Sequence, residues 1–256
     1  KRVFFCKTDY LLKDFEKIRK IKNDVILISG NSDYAITDDS QFIKQLPSNV
    51  KSWFCTNNLT SDPRLVSLPL GIENSKEAVR KGHGVGWNHA IEKKELLTEL
   101  FNKENIEKST SSKHIYANFS ISTNFSWRGL IDKICDYSEY ITYDKQKTSY
   151  GEFLDKILDH RMVVCPLGNA PMGQGDNHKI YETLYCGRVP IVFTKNQNIL
   201  YNSIYSNLPV ICLEDINNLF NIEKINSLYD RIKENSYETI TLEFWENIIE
   251  KAIVKL

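Results

Sequence analysis

Residues 162–192 read MVVCPLGNAPMGQGDNHKIYETLYCGRVPIV. The apolar start is typical of a buried strand, the middle is polar and rich in glycine, and the end is apolar again. Between the loop and the second apolar segment lies a helix-forming run, so the pattern predicts a β–loop–α–β unit. The loop opens onto the N-terminus of that helix, where unpaired N–H groups and the positive end of the helix dipole favour a bound phosphate.

Several residues of this loop suit close contact with a ligand. Gly168, Gly173 and Gly175 have no Cβ, so the backbone can approach a bound group and adopt positive φ. Asp176 or Asn177 follows directly and can cap the helix. The alternative interpretation is an ordinary tight turn before a capped helix.

Three polar side chains follow on the helix itself. His178 and Glu182 are four residues apart and therefore project from one face, and Lys179 is three residues from Glu182. A nucleotide fits this pattern: Lys179 or His178 neutralises a diphosphate, and Glu182 accepts hydrogen bonds from ribose hydroxyls. A solvated Lys–Glu pair is the alternative.

The rest of the chain repeats the alternation of strands and helices. Predicted strands cover residues 2–6, 24–30, 50–55, 65–71, 114–119, 139–143, 161–166, 189–194 and 208–213. Predicted helices cover residues 10–20, 40–46, 87–103, 127–137, 150–159 and 177–186, with two more between 222 and 256. Such an alternation is typical of α/β folds with parallel sheets.

A polar segment, residues 104–113, interrupts this alternation and is interpreted as a linker. We therefore expect two Rossmann-like domains facing a cleft, 1–110 and 111–240, with one continuous doubly wound sheet as the alternative. Residues 241–256 form a final helix that could pack back on the N-terminal domain. Apolar residues at helical spacing predict that this helix packs in a core; they are Phe244, Trp245, Ile248, Ile249, Ala252 and Ile253.

Composition restricts the classes of function. Lys plus Arg and Asp plus Glu number 33 each among 256 residues, which argues against a nucleic-acid partner. No apolar run approaches the roughly 20 residues of a membrane span. The six cysteines are scattered without a metal-ligand spacing, so we expect reduced core residues in a cytoplasmic protein.

The segment 165–192 resembles the donor-site region of exostosin-like glycosyltransferases and of related bacterial capsule and O-antigen transferases. Shorter pieces at residues 31–34, 53–58, 68–74 and 116–119, followed by Arg128, match in the order expected for that family. The resemblance implies a GT-B fold, which has two Rossmann-like domains and holds the nucleotide-sugar mainly in the C-terminal one. It also implies surface-polysaccharide synthesis.

The resemblance also implies roles for individual residues. Arg128 and Lys179 would stabilise the departing diphosphate, although the family has arginine where this chain has Lys179. The residues implied to bind the donor are Asn118, Gly168, Asn169, Gly173, Gly175, Asn177, His178 and Glu182. The family's short glycine turn is extended here, and its threonine is replaced by Asn177.

Carboxylates of the first half are candidates for the base that takes the acceptor's proton. Asp33 follows the predicted strand at 24–30, at the edge where ligands bind in open α/β sheets. Asp9 is the rival, and Glu73 could be a base, an acceptor contact or a structural partner. Asn57 is also expected on the acceptor side. The alternative for Asp33 is a turn residue, because Asn-Ser-Asp is turn-prone.

No Asp-x-Asp motif occurs in the chain, so a metal held on the diphosphate by paired carboxylates is not expected. Without a Glu-x₇-Glu pattern at the helix, the sequence favours inversion. The expected partners are a nucleotide-sugar donor, with no further cofactor, and a glycan or lipid-linked acceptor that could bring the protein to a membrane surface. Two other hypotheses are a non-catalytic nucleotide- or glycan-binding module and a transferase of a non-sugar group from a nucleotide carrier.

Overall fold

The computed structural model describes residues 2–72, 97–98, 113–146, 148–168, 176–193 and 203–256. Within these ranges the chain is an α/β protein whose strands pair in parallel throughout. The predicted α/β class is thereby confirmed. The described strands form separate sheets, so one continuous sheet does not describe them.

The first sheet has the order β1-β2-β4-β6. Its strands are β1 (Val3–Lys7), β2 (Val25–Gly30), β4 (Val50–Cys55) and β6 (Leu65–Ser67). A separate pair is formed by β3 (Ile36–Thr37) and β5 (Asn58–Leu59). Two helices, α1 (Leu11–Ile18) and α2 (Gln41–Lys44), contribute apolar side chains to the core on one face of the first sheet.

The core of the first sheet is built around Trp53, which is fully buried. Its ring meets Phe15 of α1 edge to face at 6.0 Å between centroids. The indole Nε1 donates to the Ser29 hydroxyl at 2.9 Å, so the polar atom of this large side chain is satisfied inside the core. The neighbouring Phe54 is buried as well.

The second sheet has the order β11-β10-β9-β7-β8. Its strands are β7 (Lys113–Ala117), β8 (Ile141–Tyr143), β9 (His160–Val164), β10 (Val189–Phe193) and β11 (Ile211–Leu213). The described helices after β7 are α3 (Phe125–Tyr137), α4 (Tyr150–Leu158), α5 (His178–Tyr185), α6 (Ile222–Ile232) and α7 (Leu242–Val254).

Helices cover both faces of the second sheet. Successive strand residues alternate between two cores: Tyr116 and Val163 pack with α4 and α5, while Ile115 and Met162 pack with α3 and α6. This three-layer arrangement explains why these strands are apolar along their whole length. Three side chains of the first half also pack against the α4–α5 core, namely Leu59, Leu70 and Ile72.

The last helix, α7, lies beside the first sheet. Ile248 and Ala252 line a pocket of about 450 Å³ together with Phe54 of β4 and Val66 of β6. The prediction that its apolar residues are core residues was wrong, because the helix has no fully buried side chain. It packs by one half-exposed face. The domain boundaries at 110 and 240 remain predictions.

The cysteines are free thiols; five are buried and Cys212 is half-buried. No helix in the described ranges has both the length and the apolar character needed to cross a bilayer.

His160 gives the fold a pH-dependent element. The ring is fully buried; its Nδ1 donates to the Lys156 carbonyl at 2.6 Å, and Nε2 accepts from the Thr142 hydroxyl at 2.8 Å. Burial lowers the pKa of His160 from its usual value of 6.5. The unfolded chain therefore binds a proton at this histidine more readily than the folded chain does. The contribution of His160 to the free energy of unfolding is complete above pH 6.5 and is lost as the pH falls below that value.

We expect the free energy of unfolding to decrease between pH 7 and pH 5.5 in the wild type and to decrease less in His160→Gln. At pH 7 the free energy of unfolding of the variant should be about 1–2 kcal/mol lower than that of the wild type, because a hydrogen bond of the buried ring is lost. Urea unfolding at both pH values measures this. Equal pH dependence in the two proteins would contradict the assignment, and the exposed His114→Gln is the control.

Candidate functional site

The strand order of the second sheet indicates where a ligand would bind. The chain goes from β7 to its neighbour β8 on one side, then crosses to β9 on the other side of β7. The segments that follow β7 and β9 therefore diverge at a topological switch point, where open α/β sheets bind ligands. Residues 118–124 and 165–168 flank this crevice, and α5 comes after the second of them.

Arg128, on α3, joins the two sides of the crevice. Its guanidinium donates from Nε to the Leu167 carbonyl at 2.9 Å and from Nη2 to the Pro166 carbonyl at 3.4 Å. Nη1 donates to the Ser120 carbonyl at 2.9 Å. Arg128, which was predicted to contact the donor phosphates, thus lies at the crevice. Some of its N–H groups are used to hold the segments on the two sides of the crevice together.

The charge of Arg128 has no neighbouring counter-charge in the part of the chain that the structure describes. No carboxylate of the described residues contacts the guanidinium, and its three contacts are with neutral carbonyls. Burial lowers the pKa of Arg128, which is still far above neutral because arginine stays protonated in proteins. A guanidinium has five N–H groups, and its bonds to described residues use three of them.

Two asparagines further connect the crevice segments. Asn118 donates through Nδ2 to the carbonyls of Asp144 at 2.9 Å and Gln146 at 3.0 Å. Asn124 donates to the Gly168 carbonyl at 3.1 Å. Asn118 was predicted to bind the donor, and its side-chain nitrogen holds the segment after β8. Its role in donor binding stays a prediction.

Helix α5 begins beside this crevice. Asn177 occupies the N-cap position with extended backbone, φ −146° and ψ 152°, but its side chain makes no cap bond. Its Nδ2 is buried and has no hydrogen-bond partner among the described residues. The neighbouring Gly168 is close, since a Cβ placed there would lie 3.9 Å from the Asn177 Cβ.

Lys179 and Glu182, both predicted to contact the donor, are partly and fully buried, respectively. Lys179 donates through Nζ to the Asn118 carbonyl, and the same atom lies 4.7 Å from the centre of the Phe153 ring. Glu182 is buried, with 5% of its surface exposed. The interpretation of these two residues as a solvated surface pair was wrong, because α5 packs its middle turns into the core.

His178 connects the start of α5 to the first half of the chain. Its Nδ1 lies 2.7 Å from the carbonyl oxygen of Gly71. Because a carbonyl can only accept, Nδ1 carries the hydrogen. Within the described residues Nε2 has no hydrogen-bond partner, and the ring is half-buried.

Asp176 is a buried carboxylate that joins three separate segments. Oδ2 accepts from the Leu70 N–H at 2.8 Å and from the Tyr181 hydroxyl. Oδ1 accepts from the Tyr205 hydroxyl at 2.6 Å and from the Asn177 N–H at 3.1 Å. Burial raises the pKa of Asp176, and the four donors oppose that shift. Residues 70, 176–181 and 205 are thereby held together.

The importance of Asp176 was missed in the sequence, where it was read only as a possible helix cap. Its partners lie 106 residues before it and 29 residues after it. Nothing in the local pattern indicates that Tyr205 or the Leu70 N–H reaches this carboxylate.

The acceptor-side candidates lie at the carboxyl ends of neighbouring strands β1, β2 and β4. Asn57 is buried and donates to the Ser32 carbonyl at 3.0 Å, which holds the segment that carries Asp33. Asp33 is exposed. Asp9 lies 3.5 Å from Lys7 Nζ in an ion pair. The structure thus brings Asp33 and Asn57 onto one loop cluster, with Asp9 at the same edge.

Four predicted site residues lie outside the described residues, namely Glu73, Asn169, Gly173 and Gly175.

No protein-family model matches the chain, and no curated protein matches it significantly. The function is therefore inferred from the chemistry of the site, because a fold class alone hosts many activities.

Proposed function

We propose that this protein is a glycosyltransferase that moves a sugar from a nucleotide-sugar donor to a glycan or glycolipid acceptor. The observation that carries the proposal is Arg128, a half-buried cation at the topological switch point whose partners among the described residues are all carbonyls. A partly desolvated cation without a carboxylate favours a bound anion, because the anion restores the lost solvation.

The start of α5 adds to this positive potential. Asn177, the N-cap of the helix, lies next to Gly168, so the positive end of the helix dipole is near the crevice. Lys179 brings a second cation to the same crevice through its contact with the Asn118 carbonyl. A diphosphate leaving group gains negative charge as the glycosidic bond breaks, so this potential stabilises the transition state more than the ground state.

The acceptor would bind against the first sheet, in a GT-B arrangement of two halves. Asp33 is the proposed base: it is exposed at the carboxyl edge of the first sheet, and its segment is held by buried Asn57. Asp9 suits this role less well, because its carboxylate is paired with Lys7. A base on the acceptor side and a leaving group held by fixed charges fit single-displacement inversion without a metal.

One observation favours a second candidate, a non-catalytic nucleotide-binding module. Arg128, Lys179 and Asn118 all bond to main-chain carbonyls, so the polar side chains at the crevice also serve to hold the chain together. A module that only binds would need this rigidity and no base.

Binding of nucleoside diphosphates tests the proposal directly. We expect one of UDP, GDP, ADP and TDP to raise the midpoint of thermal unfolding by about 5–10 °C at 100 times its Kd. Differential scanning fluorimetry measures the shift, and the matching nucleoside without phosphates is the control.

If none of the four diphosphates shifts the midpoint at millimolar concentration, the proposed function is wrong. A shift without consumption of any sugar nucleotide, across a panel of glycan acceptors, would favour the binding module instead. Asp33→Asn separates the two further, because it should abolish transfer and leave diphosphate binding unchanged.

A further inference from the structure

A segment of the first half, residues 70–72, is fastened to the start of α5 by two hydrogen bonds. The Leu70 N–H donates to Asp176 Oδ2 at 2.8 Å, and His178 Nδ1 donates to the Gly71 carbonyl at 2.7 Å. Consecutive residues of one segment thus bond to residues 176 and 178 of the other. We call this pair of contacts the junction clasp.

The clasp is held rigidly from both sides. Asp176 is fixed by the hydroxyls of Tyr181 and Tyr205 in addition to the Leu70 N–H. Gly71 has φ +68°, a backbone conformation that suits glycine, and the adjacent Leu70 and Ile72 pack against the α4–α5 core. The clasp therefore joins residues that are already packed, and forming it orders little additional chain.

We infer that Asp176 and His178 are positioning residues, which hold residues 70–72 of the first half against the start of α5 so that both halves enclose the bound diphosphate. The inference rests on the proposed function. His178 acts in it through Nδ1 on the Gly71 carbonyl, without touching the phosphates. Binding and clasp then stabilise each other, because coupling between two equilibria is reciprocal.

The two ring nitrogens of His178 can be separated by substitution. In His178→Asn the side-chain amide lies where Nδ1 was, so the bond to the Gly71 carbonyl can be kept. In His178→Gln the amide lies nearer to the position of Nε2, and that bond is lost. A positioning role through Nδ1 therefore predicts opposite behaviour for two substitutions of similar size and polarity.

The experiment combines calorimetric titration with UDP, GDP, ADP and TDP and hydrogen exchange of the amides of residues 70–72. In the wild type we expect the Leu70 amide to be protected, and the diphosphate that binds to increase this protection. His178→Asn should retain both properties. His178→Gln should weaken binding of that diphosphate about tenfold and speed exchange at Leu70, and the exposed His114→Gln should change neither.

The reverse order of the two variants would mean that Nε2 contacts the ligand, and it would overturn the inference. Equal losses in both variants, or wild-type behaviour in both, would overturn it as well. If the wild type binds none of the four diphosphates, the proposed function fails. The exchange measurement still tests the clasp in that case, because rapid exchange of the Leu70 amide in the free protein would show that the clasp does not form.

Discussion

Arg128→Gln is expected to weaken binding of the preferred nucleoside diphosphate about 10- to 100-fold, because a hydrogen bond to a charged group contributes about 1.5–3 kcal/mol. The guanidinium has no carboxylate partner among the described residues, so its charge is available to the phosphates. Turnover should fall by more than affinity, by about 100- to 1000-fold, since charge develops on the diphosphate during transfer. Calorimetric titration and a sugar-nucleotide consumption assay measure the two effects.

The same substitution also removes bonds to the carbonyls of Leu167, Pro166 and Ser120, so a structural effect has to be separated from an electrostatic one. Affinity for the uncharged nucleoside should change much less than affinity for the diphosphate. Arg161→Gln is the matched control: Arg161 lies near the opposite end of β9, with its guanidinium 4.3 Å from the Tyr229 ring. Equal losses for nucleoside and diphosphate would contradict an anion-binding role for Arg128.

Asp176→Ala is expected to lower the free energy of unfolding by about 3–5 kcal/mol, because it leaves several buried donors without an acceptor. Those donors are the hydroxyls of Tyr181 and Tyr205 and the N–H of Leu70. Since whole domains are stable by only about 5–15 kcal/mol, the variant could be largely unfolded at 37 °C. Urea unfolding at 15 °C measures the loss.

Milder variants keep this prediction testable. Tyr205→Phe removes one donor and should cost about 1–2 kcal/mol. Asp230→Ala is the matched control, because that carboxylate is exposed and forms a surface ion pair with Lys233, so the change should stay below about 1 kcal/mol. A cost at Asp176 no larger than that at Asp230 would show that the buried network does not stabilise the fold.

The sequence was informative about elements whose signal is local. The strand at 50–55 was predicted with the observed bounds, because a segment that begins and ends with apolar residues lies there between Pro47 and a polar turn. The two-residue strands β3 and β5 were missed, since so short a pairing has no periodicity to read. The order of strands in each sheet could not be read either, because pairing depends on contacts between distant segments.

The candidate site was predictable in outline and not in its contacts. Glycine spacing and the helix start predicted a phosphate site before α5, which stays a prediction, and Arg128 and Lys179 both bond to segments that flank the crevice. Their partners are main-chain carbonyls 39 and 61 residues away, which no motif encodes. The buried position of Glu182 likewise depends on how α5 packs, whereas the residue type alone suggested a solvent-facing carboxylate.

The position of α7 has a consequence for how the protein is made. Ile248 and Ala252 line one pocket with Phe54 and Val66 of the first sheet, although the helix comes long after these strands in the chain. A ribosome delivers the strands of that sheet before the helix, and domains generally fold in the order in which they emerge. These strands therefore leave the ribosome well before the helix that comes to lie beside them.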